Sequence, residues 1–183
     1  MDATTSNTHA ATVPWAAIAG ITLTVTVFAV AQGLCYPLLS FILERQGWSP
    51  GMIGLSAAMM PAGFILSAPC IPPLVSLFGA GRVALGCAAL GAALLAMIGL
   101  WQDYWLWLPL RFVLGFVVNP LYVISETWLV AMTPASRRGR VLGAYSSLVS
   151  AGFAVGPLAL SLVGTEGWPP FSIGVSAFAA CAL

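Results

Sequence analysis

One stretch limits what this chain can become: residues 105–143, WLWLPLRFVLGFVVNPLYVISETWLVAMTPASRRGRVLG. It begins as an apolar run long enough to cross a bilayer, carries Arg111, Asn119 and Glu126 inside that run, and ends in Arg137, Arg138 and Arg140. An ionisable group at the centre of a membrane helix costs roughly 2.5–3.5 kcal/mol, so such residues face a protein interior or a water-filled path rather than lipid. At about 100° per residue, Arg111, Gly115, Asn119, Tyr122 and Glu126 share a stripe about 80° wide, with Leu, Val and Phe around the rest of the helix. This helix is the one expected to carry the function.

The rest of the chain fits the same solvent. It is 60% hydrophobic and 6% charged, with no lysine, a balance that a water-soluble domain of this length does not have. The expected fold class is an all-α membrane protein, a bundle of six transmembrane helices. A net charge of +1 with locally clustered arginines gives no footprint for nucleic acid. Cys35, Cys70, Cys87 and Cys181 lie in or beside apolar runs without metal or redox spacing, so no disulfide, metal centre or cofactor is expected. The only histidine, His9, sits in the polar stretch 1–12, read as a disordered tail, so neither a Ser-His dyad nor a histidine metal site can form in the bilayer and an intramembrane enzyme is disfavoured. No cleavable signal is expected, because a basic n-region is missing and the apolar stretch after Pro14 is too long for an h-region.

Residues 13–183 are read as one transmembrane domain with spans near 14–41, 52–72, 83–101, 104–127, 141–163 and 170–183. The first span has Thr22, Thr26, Gly33 and Tyr36 on one side with Gln32 beside them. Ser49 and Pro50 supply an N-cap and a first-turn proline for the second, whose Gly54, Ala58, Ala62 and Gly63 suit close helix packing. Pro72 and Pro73 are expected to end it, leaving 75–83 as a loop. The third span is apolar all round and fits the periphery; the turn 102–104 makes it an antiparallel neighbour of the fourth. The fifth carries Gly143, Ser147, Ser150, Gly152 and Gly156 with Pro157. Arg82, Arg137, Arg138 and Arg140 fall on one side and only Arg45 on the other, which places the N-terminus in the cytoplasm, with Trp15 and Trp128 at the inner interface and the remaining tryptophans at the outer one.

Several of these residues resemble motifs of the major facilitator superfamily of secondary transporters. Arg111 with Gly115 resembles its fourth-helix Arg-Gly motif, with Leu114 where Gln is common. Gly152, Gly156 and Pro157 are similar to the fifth-helix motif of its antiporters, with Leu160 and Ser161 in place of a glycine pair. Residues 75–83 stand where the family has Asp-Arg-x-Gly-Arg-Arg, retain Phe78, Gly79 and Arg82, and have Ser76 at the Asp position. Glu126 and 133–143 resemble the fourth-to-fifth loop. The resemblance implies the amino-terminal six-helix half of a transporter of a small solute, working by alternating access in the plasma (bacterial inner) membrane, with a second six-helix half or a second copy as partner. Such halves contain a three-plus-three inverted repeat. An offset of 89 residues pairs Gly54 with Gly143 and Ala62-Gly63-Phe64 with Ala151-Gly152-Phe153.

The resulting expectation is a cavity between the first and fourth spans, lined by Arg111, Asn119 and Tyr122 opposite Gln32 and Tyr36; one cation, one amide and hydroxyls suit an anionic or polyol group. Each residue also has a plainer role. Arg111 lies about 9 Å along the helix from Trp105 and can snorkel to headgroups. Asn119 can serve backbone groups freed by Pro120, and Gln32 and Tyr36 can bind helix to helix. For the whole chain the alternative is a non-transporting membrane scaffold. Glu126, about 22 Å from Arg111, is expected to pair with Arg82 or with one of Arg137, Arg138 and Arg140 as a cytoplasmic gate. The last run, 171–183, reaches about 20 Å as a helix against a hydrocarbon core of about 30 Å. It is therefore expected to stop inside the membrane, in a C-terminally truncated fragment that does not transport alone.

Overall fold

The computed structural model describes residues 14–165 and 167–180; the tail 1–12, His9 and Cys181 lie outside them. Seven α-helices run in the order α1 (Trp15–Arg45), α2 (Pro50–Ser67), α3 (Ile71–Phe78), α4 (Ala80–Leu100), α5 (Tyr104–Met132), α6 (Arg138–Val163) and α7 (Pro169–Ala180), with no strand among the described residues. Among the described residues, five segments are long and apolar enough to cross a membrane, α2 and α3 counting together as one. The expected fourth and fifth spans are α5 and α6.

Two parallel helix pairs form the frame, α1 on α6 and α2 on α5, with α4 and α7 packed beside them. Both pairs approach to backbone contact, and glycine is the reason. A β-carbon on Gly63 would overlap the Phe112 carbonyl, and one on Gly115 the Met60 carbonyl; Gly33 and Gly156 meet across α1 and α6 in the same way, while at Gly152 it would lie 2.8 Å from the Thr26 carbonyl. In lipid, where apolar side chains gain little by leaving their solvent, dispersion contacts between such close backbones hold helices together. Gly63 and Gly152, the residues aligned by the 89-residue offset, each sit at one of these two crossings.

Three boundaries differ from expectation. Pro72 and Pro73 do not end the second span. A single 3-10 turn (Ala68–Cys70) resets the helix, and the prolines then fall in the first turn of α3, where a missing N–H leaves nothing unpaired. The reversal comes instead at Gly79, whose φ of 83° is open to glycine and strained for other residues, so 75–83 is two helices joined at one residue rather than a loop. Arg138 and Arg140 stand in the first turn of α6, not in a connecting loop. Finally, Thr22 and Thr26 do not make a polar face: their hydroxyls donate to the Ile18 and Thr22 carbonyls one turn back, at 2.8 and 2.7 Å.

The end of the bundle holding Trp48 and Trp101 is capped by side chains. Ser49 caps α2, Asp103 accepts from the Leu106 N–H at 2.9 Å to cap α5, and the Tyr104 hydroxyl donates to the Met52 carbonyl at 3.0 Å. Trp107 is fully buried and its indole N–H donates to the carbonyls of Ile98 and Trp101, at 3.1 and 2.8 Å, which are among the last carbonyls of α4 that no helix bond reaches. Trp107→Phe keeps an aromatic ring but leaves the buried Ile98 carbonyl and the partly buried Trp101 carbonyl without their donor. It is expected to lower stability by about 1–3 kcal/mol, measured as the thermal unfolding midpoint in detergent; an unchanged midpoint would mean that water serves the two carbonyls equally well.

Candidate functional site

The polar stripe of α5 is met by a matching stripe on α2. Ser56, Met60, Gly63 and Ser67 are the buried residues of α2, spaced four, three and four apart and hence on one face. Because α2 and α5 run parallel, the stripes meet in constant register. The Arg111 guanidinium donates to Ser56 Oγ at 3.0 Å and the Asn119 amide donates to the Phe64 carbonyl at 3.0 Å, both across 55 positions. Asn119 donates also to Ser67 Oγ at 2.8 Å. Asn119 is therefore a clasp between α2 and α5. It neither lines a cavity with Gln32 and Tyr36 nor serves the backbone freed by Pro120.

The remaining members converge on the junction of α1 with α5. Arg111 is 1% exposed, which rules out snorkelling to headgroups. With Gln32, Cys35 and Tyr36 of α1 it lines a cavity of about 20 Å³ whose other walls are Leu39, Met60, Leu95, Leu114 and Phe178, room for about one water molecule. About three turns along α5 from Arg111, the Tyr122 hydroxyl donates to the Gln32 carbonyl at 3.2 Å, and the Tyr122 ring meets Phe28 edge-on at 5.4 Å between centroids. So Arg111, Tyr122, Gln32 and Tyr36 are brought together, and Asn119 is not. Gly115, Gly152, Gly156 and Pro157 stand apart from this cavity: the three glycines make the backbone crossings, and Pro157 lies within α6.

Two residues of this constellation were not singled out as site residues from the sequence. Ser56 is the sole hydrogen-bond partner of Arg111 among the described residues, and Cys35 lies in the cavity wall. The stripe of Ser56, Gly63 and Ser67 was the available signal for Ser56, since three small or hydroxyl residues on one face of an apolar helix mark the face that meets a polar neighbour.

The expected gate is absent in this conformation. Glu126 is exposed and forms no ion pair with Arg82, Arg137, Arg138 or Arg140. Arg137 lies over the ring of Trp15, 5.9 Å from its centroid, a cation–π contact that ties the α5–α6 connection to the start of α1. Arg138 Nε donates to the Thr133 carbonyl at 3.1 Å. Arg138 thus finds its partner within its own connection and Arg137 finds one on α1; Arg82 and Arg140 are exposed.

The sequence pattern of the Major Facilitator Superfamily matches residues 21–183. Among similar proteins, YfkF of Bacillus subtilis (strain 168), described as an uncharacterized MFS-type transporter, is 31% identical over 162 residues, covering 87% of this chain and 41% of YfkF. The uncharacterized MFS-type transporter Ent638_1421 of Enterobacter sp. (strain 638) is 27% identical over 76% of this chain and 37% of its own length. YcaD of Escherichia coli O6:H1, with the same description, is 39% identical over 83 residues, 45% of this chain and 20% of YcaD. The chain thus spans about two fifths of the length of the first of these relatives. With an all-helical, multi-pass membrane architecture and a family pattern that runs from within α1 through α7, this chain belongs to the Major Facilitator Superfamily of transporters.

Proposed function

We propose that this chain is the amino-terminal six-helix half of a secondary active transporter, which carries a small solute by alternating access with a second six-helix unit as the other wall of the path. The observation that carries the reading is the cluster of buried Arg111 and Gln32 with half-buried Tyr36 and Tyr122 at the junction of α1 and α5. A scaffold gains nothing from a guanidinium held at membrane depth, whereas a solute path needs a polar point at which to recognise its cargo. In superfamilies of this kind the solute site lies near the bilayer midplane where repeats meet, and access alternates as bundles rock about it. The excess of positive charge at the end with Arg137, Arg138 and Arg140 supports reading that end as the cytoplasmic one, in a bacterial inner membrane.

The test uses the full-length protein. Solutes accumulated or expelled by an expressing strain are compared with those of an empty-vector strain, which identifies the cargo. Arg111→Ala is expected to return that profile to the vector control at equal amounts of membrane-inserted protein. A profile unaltered by Arg111→Ala would overturn the assignment of the path.

A further inference from the structure

The cavity at Arg111 has a chemical bias that its size and location do not require. Arg111 Nε is buried without a partner, and the guanidinium as a whole makes one hydrogen bond among the described residues, to Ser56. Gln32 is 4% exposed; its carbonyl is occupied by the Tyr122 hydroxyl, and its Nε2 has no partner. Both residues line the same small space, whose remaining walls are mostly Leu, Met and Phe. The two buried polar atoms left without a partner there, Arg111 Nε and Gln32 Nε2, are both donors, and the only formal charge is positive.

A buried unpaired ion usually resolves itself by losing its charge, but a guanidinium does not deprotonate in a protein. The charge therefore persists and calls for a counter-charge. No carboxylate supplies it, because Arg111 makes no ion pair among the described residues. A water or a polyol hydroxyl would accept from the orphan donors and leave the charge uncompensated, while an anion answers both needs.

We propose that Arg111 Nε and Gln32 Nε2 form a binding site for a small anion, either an inorganic ion of chloride's size or the carboxylate end of a solute. At about 20 Å³ the cavity has room for one atom of such a ligand, and both donors lie behind its apolar walls, so the anion reaches them as α1 and α5 separate. That the anion is cargo rests on the transport reading above, but that it binds does not, so binding is measured apart from uptake.

Full-length protein is purified in detergent without chloride, in the sodium salt of a bulky sulfonate buffer at fixed ionic strength. Chloride is titrated while its ³⁵Cl resonance width is followed, and acetate is titrated separately with the thermal midpoint as readout. Saturable chloride broadening that acetate does not displace assigns an inorganic-ion site; an acetate-dependent rise in midpoint, or displacement of chloride by acetate, assigns a carboxylate site. Either signal is expected to vanish in Arg111→Gln and to weaken at least several-fold in Gln32→Leu, which removes the orphan amide without touching the charge and keeps the test decisive if Arg111→Gln does not fold. Saturable binding of neither probe, or binding that Gln32→Leu leaves unchanged, overturns the site. Binding that follows these variants while uptake ignores them would sink the transport role and leave the anion site standing.

Discussion

Gly115→Val is expected to separate α2 from α5 and leave little correctly folded protein. A β-carbon at Gly115 meets the carbonyl of Met60, and across the same seam one at Gly63 meets the carbonyl of Phe112. The obstacle at both places is backbone, which cannot rotate aside as a side chain does. Overpacking of an ordinary core costs about 1–3 kcal/mol because neighbours shift. Here the helices themselves must part, which also stretches the Arg111–Ser56 and Asn119–Phe64 bonds. The loss is expected to reach or exceed the top of that range. The buried thiol of Cys35 provides the measurement: reaction with a fluorogenic maleimide during heating should occur at a much lower temperature than in the parent. Gly86→Ala and Gly143→Ala serve as controls, since a β-carbon at either position meets nothing within 4 Å. A Gly115→Val midpoint equal to theirs would show that the seam is loose.

The second large effect is a reversal of sign. Ser56→Ala removes the one hydrogen-bond partner of a buried cation and is expected to destabilise the fold by about 1.5–3 kcal/mol, the range for hydrogen bonds to charged groups. Arg111→Met removes the cation itself and puts an apolar side chain of similar length among Leu39, Met60, Leu95 and Leu114. Such exchanges of buried charge for packed hydrophobe are neutral or stabilising by about 1–4 kcal/mol. The variant least active in transport should then be at least as stable as the parent. Adding Ser56→Ala to Arg111→Met should cost little, because no cation remains to be left alone. Thermal midpoints of the two single variants and the double variant complete the cycle; an Arg111→Met midpoint as low as that of Ser56→Ala would make the guanidinium a structural tie.

Much of this arrangement was legible because lipid leaves few options: apolar runs of sufficient length must be helices, and Ser49 followed by Pro50 starts one as expected. The stripe of α5 was legible as a direction, but a helical wheel says only which residues share a face, not which neighbour that face meets. Asn119 went to α2 for that reason, and Ser56 was passed over because the small residues of α2 were read as packing surface alone, although Ser56, Gly63 and Ser67 share one face. Pro72 and Pro73 misled because proline breaks a helix only where its N–H is needed, and the 3-10 turn ahead of them removes that need. The Glu126 gate failed on competition: an arginine near an interface takes the closest acceptor, here a carbonyl for Arg138 and an indole face for Arg137.

The glycine crossings also set how this half can deform. Each fuses two helices into a stiff plank, α1 with α6 and α2 with α5, and the cavity occupies the slot between the planks, with Gln32 and Tyr36 on one and Arg111 on the other. Any occupant larger than a single water must act there as a wedge. Its width is then converted into a tilt of one plank against the other, a lever through which a few ångströms at the slot become a larger displacement at the far ends of helices more than twenty residues long.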